Sequence, residues 1–145
     1  LGSIELVRDG APIPIGGSKP RLALALLAAH LGSVISTDRI CEELWGDSQP
    51  ADPAAVLQSH LSRLRRLLRP EAEILARPPG YLLEAPPGTV DAGRFELLCR
   101  RAAATSDPQT VVGLLERAQA CWRGPAFDEF VEQEWALPVA VRLDE

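Results

Sequence analysis

Between Pro53 and Pro70 the chain carries Arg63, Arg65, Arg66 and Arg69 and no Asp or Glu, although its formal net charge is −5. A guanidinium is permanently charged and presents a planar fork of N–H donors, which matches a phosphate or the edge of a guanine. Gln58, Ser59, His60 and Ser62 stand among these arginines. An amide can pair with adenine, a hydroxyl can donate to either groove edge, and small side chains let a backbone approach another surface closely. Trp45 offers an indole N–H ahead of this stretch, and Arg77 and Tyr81 follow it. The chemistry these types support is recognition of a polyanion rather than the making or breaking of bonds.

Their spacing calls for a helix over 53–69. Asp52 suits the N-cap, Pro53 the first helical position, and Pro70 stops the run. Wound at about 100° per residue, Leu57, Leu61, Leu64 and Leu68 stack on one side, with Ala55, Ser59, Ser62 and Arg66 opposite and Gln58, Arg63 and Arg69 on the shoulders. An oily face and a basic face suit a helix laid in the major groove of DNA; a plain solvated face is the competing reading. Arg63 and Arg66 point away from the leucines and are expected to contact phosphate or guanine. Arg65 lies nearer the core edge, where its stem could equally be buried along the protein. His60 flanks the leucines, as a packed histidine or a ligand. Trp45 belongs to the core by its body, with its N–H directed to a phosphate. Gln58 reads adenine or is solvated, Arg77 is a phosphate candidate, and Tyr81 is a hairpin residue first.

The flanking elements supply the frame. Residues 3–8 read as a strand, Asp9-Gly10 as a turn and Ile13-Pro14-Ile15 as a second strand. Residues 20–31 form a helix that is apolar almost all round and therefore central. Val34-Ile35 is a short extended link, and Ser36 or Thr37 caps a helix from Asp38 to Leu44 or Trp45. After the basic helix, Ile74–Arg77 and Tyr81–Glu84 flank Pro78-Pro79-Gly80 as a hairpin. Strands, three helices and a hairpin make a winged helix-turn-helix.

From Pro86-Pro87-Gly88 the character changes. Asp91 can cap a helix to about Ala104, with Phe95, Leu98 and Ala102 on one face; Asp107-Pro108 opens another to Trp122, with Val111, Leu115, Ala118 and Trp122 on one face. A third helix starts near Glu132 and breaks or restarts at Pro138. Antiparallel pairs of this length resemble a helical-repeat unit. Trp122, Trp135, Phe95, Phe127 and Phe130 read as packing, and the acidic run Asp128, Glu129, Glu132, Glu134 as a solvated face or a docking surface for basic partners. The expected class is thus mainly α with small β elements, a winged helix over 1–86 followed by an α-helical, TPR-like domain over 87–145.

Bulk composition bounds the function. At 145 residues, 46% apolar and 24% charged, the chain holds one ordinary or two small globular domains. Residues 1–90 carry nine Lys/Arg against ten Asp/Glu, and residues 91–145 six against ten, so the acidic excess sits in the second part. A near-neutral front part with a concentrated basic helix can still bind DNA locally. Cys41, Cys99 and Cys121 lack metal-ligand spacing and read as buried thiols in a reducing cytoplasm. No apolar run approaches the ~20 residues of a membrane span. Gly16-Gly17-Ser18-Lys19 lacks P-loop spacing, and no local pattern supports a catalytic triad or zinc. Neither an enzyme, a cofactor nor a metal is expected. A start at Leu1 without Met and a stop inside a helical pattern suggest a piece of something longer.

The motifs resemble, in order, those of the Streptomyces antibiotic regulatory protein family of bacterial transcription regulators, which joins an OmpR-type winged helix to a bacterial transcriptional activator domain. The pieces are Leu1-Gly2 leading into Ile4-Glu5-Leu6, Lys19-Pro20-Arg21, Glu43-Leu44-Trp45-Gly46, Leu57 to Leu68, Arg77-Pro78-Pro79-Gly80-Tyr81-Leu82-Leu83, Val90 to Glu96, and Cys121-Trp122-Arg123-Gly124-Pro125-Ala126. The resemblance spans the whole chain. It implies a third helix in the major groove, a wing at the flanking minor groove, and DNA contacts at His60, Arg63, Arg65, Trp45, Arg77 and Tyr81. It also implies activation at direct-repeat sites, contact with RNA polymerase and a second copy on DNA. One departure is that Ala54 and Ala55 stand where family members often place Arg and Asn, which removes a bidentate contact worth roughly 1–3 kcal/mol of base discrimination. A protein-interaction module that keeps the fold but reads DNA weakly is the alternative function.

Overall fold

The computed structural model describes residues 1–144 and divides into two compact units, Ile4–Ala85 and a second made of Leu1–Ser3 with the chain from Pro86 onward. The first contains β1 (Leu6–Arg8), β2 (Ala11–Ile13), α1 (Ser18–Ala29), β3 (Ile35–Ser36), α2 (Thr37–Trp45), α3 (Pro53–Leu68), β4 (Glu73–Arg77) and β5 (Gly80–Glu84). β1 and β2 pair antiparallel with Leu6 opposite Ile13 and Arg8 opposite Ala11. The two-residue turn Asp9-Gly10 has φ of 52° and 77°, the left-handed pair that closes a tight hairpin. That turn fixes the register, so the second strand falls at 11–13 rather than at 13–15, and the first is shorter than residues 3–8.

A three-stranded antiparallel sheet, ordered β3-β5-β4, closes the unit. Gly80 lies inside β5, opposite both Ser36 and Arg77, rather than in the turn. A Cβ there would fall 1.8 Å from the Ile35 carbonyl oxygen, so only glycine lets β3 cross at this point. α1 buries Pro20, Leu22 and every residue from Ala23 to Leu27, as an all-round apolar helix must. Against it pack Ile40, Cys41 and Leu44 of α2, Leu57, Leu61, Leu64 and Leu68 of α3, and Ile74 and Leu83 of the sheet. Each such side chain contributes roughly 1.5–3 kcal/mol of burial.

The second unit contains α4 (Asp91–Ala103), α5 (Pro108–Gln119), a 3-10 turn (Asp128–Phe130) and α6 (Ala136–Asp144). Asp91 is the first helical residue rather than the cap, which is Val90; its carboxylate accepts from the Ala92 amide at 2.8 Å. Asp107 does cap α5, accepting from the Thr110 amide at 3.0 Å. The helices meet through Leu98 and Ala102 on one side and Leu114 and Ala118 on the other, with Phe95 and Val111 alongside. Leu115, expected inward, is 48% exposed, because Leu114 takes that place one residue earlier in the turn. α5 stops at Gln119, short of Trp122, and α6 starts at Ala136, not Glu132. Pro138 sits in the first turn of α6, where a missing N–H breaks no helical hydrogen bond. Phe127 and Phe130 pack against Trp135 with ring centroids 5.3 and 5.9 Å apart, and Phe95 meets Trp122 edge-on at 5.5 Å. Leu1 joins this unit: its amino nitrogen donates to the Cys121 carbonyl at 2.7 Å, and the Arg123 amide donates to its carbonyl at 2.9 Å.

Candidate nucleic-acid interface

The front of α3 is set by Asp52, whose carboxylate accepts from the Ala55 amide at 3.1 Å. With Leu57, Leu61, Leu64 and Leu68 fixed in the core, the opposite face is exposed by geometry. Ala54, Ala55, Gln58, Ser59, Ser62, Arg63 and Arg66 are all exposed there. Ser59 Oγ donates back to the Ala55 carbonyl at 3.3 Å, within the helix itself. Among the described residues, neither Arg63 nor Arg66 forms an ion pair. A carboxylate beside either would have to be displaced before a phosphate could bind; none is.

The other arginines of this stretch have different surroundings. Arg65 turns to the sheet: its Nε donates to the Ile74 carbonyl at 2.7 Å and its guanidinium carbon stands 5.9 Å from the centre of the Tyr81 ring. Arg69 pairs with Glu73 at 3.2 Å. Arg77, at the end of β4, is exposed and donates to the Ala76 carbonyl at 2.9 Å. Tyr81, by contrast, is 91% buried on β5, opposite Ile35 and Ala76.

Trp45 and His60 come together where α2 ends against α3. Their rings stack at 6.3 Å with 29° between planes, and both are half-buried. Burial, and then the neighbouring Arg63 cation, hold the His60 imidazole below its ordinary pKa, so at neutral pH it is uncharged and offers one donor and one acceptor. Lys19 Nζ donates to the Leu44 carbonyl at the C-terminal turn of α2. The wing is tied to α2 as well: the Thr37 amide and hydroxyl both donate to the Pro79 carbonyl, at 3.2 and 3.3 Å.

Two contributors were not singled out by spacing. A Cβ built on Gly16 would lie 3.3 Å from Arg63 Nη2, so the loop before α1 is the neighbour of that guanidinium. The pair Gly16-Gly17 signals a break in the sequence but not what lies against it. Arg8 clamps the far end of α3, donating to the carbonyls of Leu67 and Arg69 at 2.9 Å and to both oxygens of Glu71 at 2.7 Å. Glu71 is correspondingly held below the usual carboxylate range by Arg8. Nothing local marks a lone arginine in a three-residue strand as a clamp 59 to 63 residues away in sequence.

Among the described residues no group of three or more His, Cys, Asp or Glu could hold a metal ion, and no helix is long and apolar enough to cross a membrane. Residues 16–83 match the family described as "Transcriptional regulatory protein, C terminal", and residues 90–145 match the "Bacterial transcriptional activator domain". The Transcriptional regulatory protein EmbR of Mycobacterium tuberculosis is 33% identical over 153 residues, covering 100% of this chain and 39% of that protein. The Transcriptional regulator RedD of Streptomyces coelicolor is 36% identical over 136 residues, covering 86% of this chain and 37% of its own. The solved structure of Mycobacterium tuberculosis EmbR in complex with a low affinity phosphopeptide is similar with a TM-score of 0.82 and 32% identity, over 99% of this chain and 40% of that one. The chain spans less than half the length of these relatives.

Proposed function

The chain belongs to the Streptomyces antibiotic regulatory protein family of bacterial transcription regulators, and on that premise we propose that it binds double-stranded DNA through α3 and the β4–β5 wing. The carrying observation is the pair Arg63 and Arg66: exposed, without an ion-pair partner among the described residues, and held on a helix whose other face is locked into the core. In this reading Arg63 and Arg66 contact phosphates or guanines and Gln58, Ser59 and Ser62 face base edges. Trp45 and neutral His60 form a hydrogen-bonding flank, and Arg77 takes the backbone beside the wing. Arg65 and Tyr81 brace the wing against the helix, with the remaining N–H groups of Arg65 turned to the backbone. The site for which the protein is built is a direct repeat in a promoter, bound by two copies in the cytoplasm, with the helical unit meeting the second copy or RNA polymerase to activate transcription.

A selection of bound duplexes from a random pool tests this. Recovery of a repeated element spaced by one or more helical turns is the expected result; a bound pool with no shared element rejects specific reading. Exposed Ala54 and Ala55 favour a second function, an interaction module with little base reading, since methyl groups at the front of α3 leave no side chain to pair with a base. Failure to shift any duplex at low salt, together with capture of a protein partner, would select that alternative.

A further inference from the structure

The second unit contains a basic cleft of about 250 Å³ between the start of α4 and the end of α5, lined by Gly88, Thr89, Asp91, Arg94, Arg117, Ala120, Cys121 and Arg123. We propose that this cleft binds the phosphate group of a small soluble ligand. Three guanidiniums against one carboxylate leave two positive charges in the lining, in the part of the chain that carries most of the acidic excess.

The carboxylate is already engaged. Asp91 pairs with the Leu1 ammonium, accepts from the Ala92 amide at 2.8 Å and lies 3.8 Å from Arg123 Nη2, while Arg123 also donates to the Ser3 carbonyl at 3.2 Å. Arg94 and Arg117 are exposed and, among the described residues, have no ion-pair partner. Two forked donors facing one space are the arrangement that holds a phosphate dianion through paired charge-assisted hydrogen bonds. The cleft is wide enough for a phosphate and open enough for the rest of an ester to leave it.

The test is calorimetric titration of this 145-residue chain, at fixed ionic strength, with orthophosphate and separately with glycerol 3-phosphate. Saturable one-to-one binding of either is expected; tighter binding of orthophosphate identifies the free anion, and tighter binding of the ester identifies a phosphorylated metabolite. Removing both forks with Arg94→Gln and Arg117→Gln should weaken binding at least about tenfold, while Arg101→Gln, an exposed arginine of the same helix outside the cleft, should leave it unchanged. Asp91→Asn keeps an acceptor for the Ala92 amide and removes the opposing charge, so it should tighten binding even if the double variant fails to fold. No saturation, equal loss with Arg101→Gln, or weaker binding with Asp91→Asn overturns the proposal.

Discussion

The two units solve the same problem, burial of helix faces, to different degrees. In Ile4–Ala85 the faces of α1, α2 and α3 close on one another and on the sheet, and Leu26, Leu27, Ile40, Leu57, Leu61 and Leu64 reach zero exposure. From Pro86 onward the shared cluster of α4 and α5 is built on two leucines and two alanines. Val112 and Leu115 on α5, Val131, and Leu137 and Val141 on α6 remain exposed. Two helices sharing one seam cannot hide both sides of each, whereas three helices and a sheet can. The tighter packing therefore lies in the unit that holds α3.

The sharpest way to break this comparison is to open a cavity in each unit. Leu64→Ala should cost about 2–5 kcal/mol in denaturant unfolding, with the loss at the upper end because its surroundings are fully packed; Leu114→Ala should cost less, since that site can collapse towards solvent. Equal costs would mean that the two interiors are equally tight. Gly80→Ala should destabilise the first unit by about 1–3 kcal/mol and lower the protection of the β3–β5 amides in hydrogen exchange. Protection unchanged from the parent would contradict the close crossing.

Acid should separate the units by titration window. His60 has a folded pKa below its unfolded value, so the unfolded chain binds the extra proton first. The contribution of His60 to the first unit is then full above about pH 6.5 and is lost as pH falls through its lower folded value. Asp107 is held low chiefly by the Thr110 hydroxyl and amide, so its contribution to the second unit persists to lower pH and is lost only as pH falls from about 4 through its folded value. Unfolding followed at Trp45 and at Trp135 against pH reads the two separately; loss at Trp135 between pH 7 and 5 with Trp45 unaffected would reverse the assignment. The smallest effect belongs to the surface: Val112→Ser with Leu115→Ser should change stability by under about 0.5 kcal/mol, measured by thermal melting.

How far these features could be read from residues depended on range. Local signals carried well: the Asp52 and Asp107 caps, the leucine stripe of α3, the apolar circumference of α1 and the hairpin around Pro78-Pro79 are each set within a few positions. Errors arose where a neighbour far along the chain decides. Gly80 belongs to a strand because β3 pairs beside it, and Leu115 faces outward because α4 selects Leu114. On α3, spacing identifies which arginines leave the leucine face. It could not assign the Arg65 donor to the Ile74 carbonyl, the Glu73 partner of Arg69 or the clamp from Arg8, all of which need the sheet in place.

Arginines that look alike in sequence are therefore expected to differ in function, and one experiment addresses that directly. Affinity for a duplex is measured against salt for the parent chain and for Arg63→Ala, Arg66→Ala and Arg69→Ala. The expected result is a steep fall of log K with log salt. Each of the first two substitutions should flatten the slope by about one, and Arg69→Ala, whose charge is already met by Glu73, should leave it nearly unchanged. A slope that ignores Arg63 and Arg66, or that responds only to Arg69, would contradict the account.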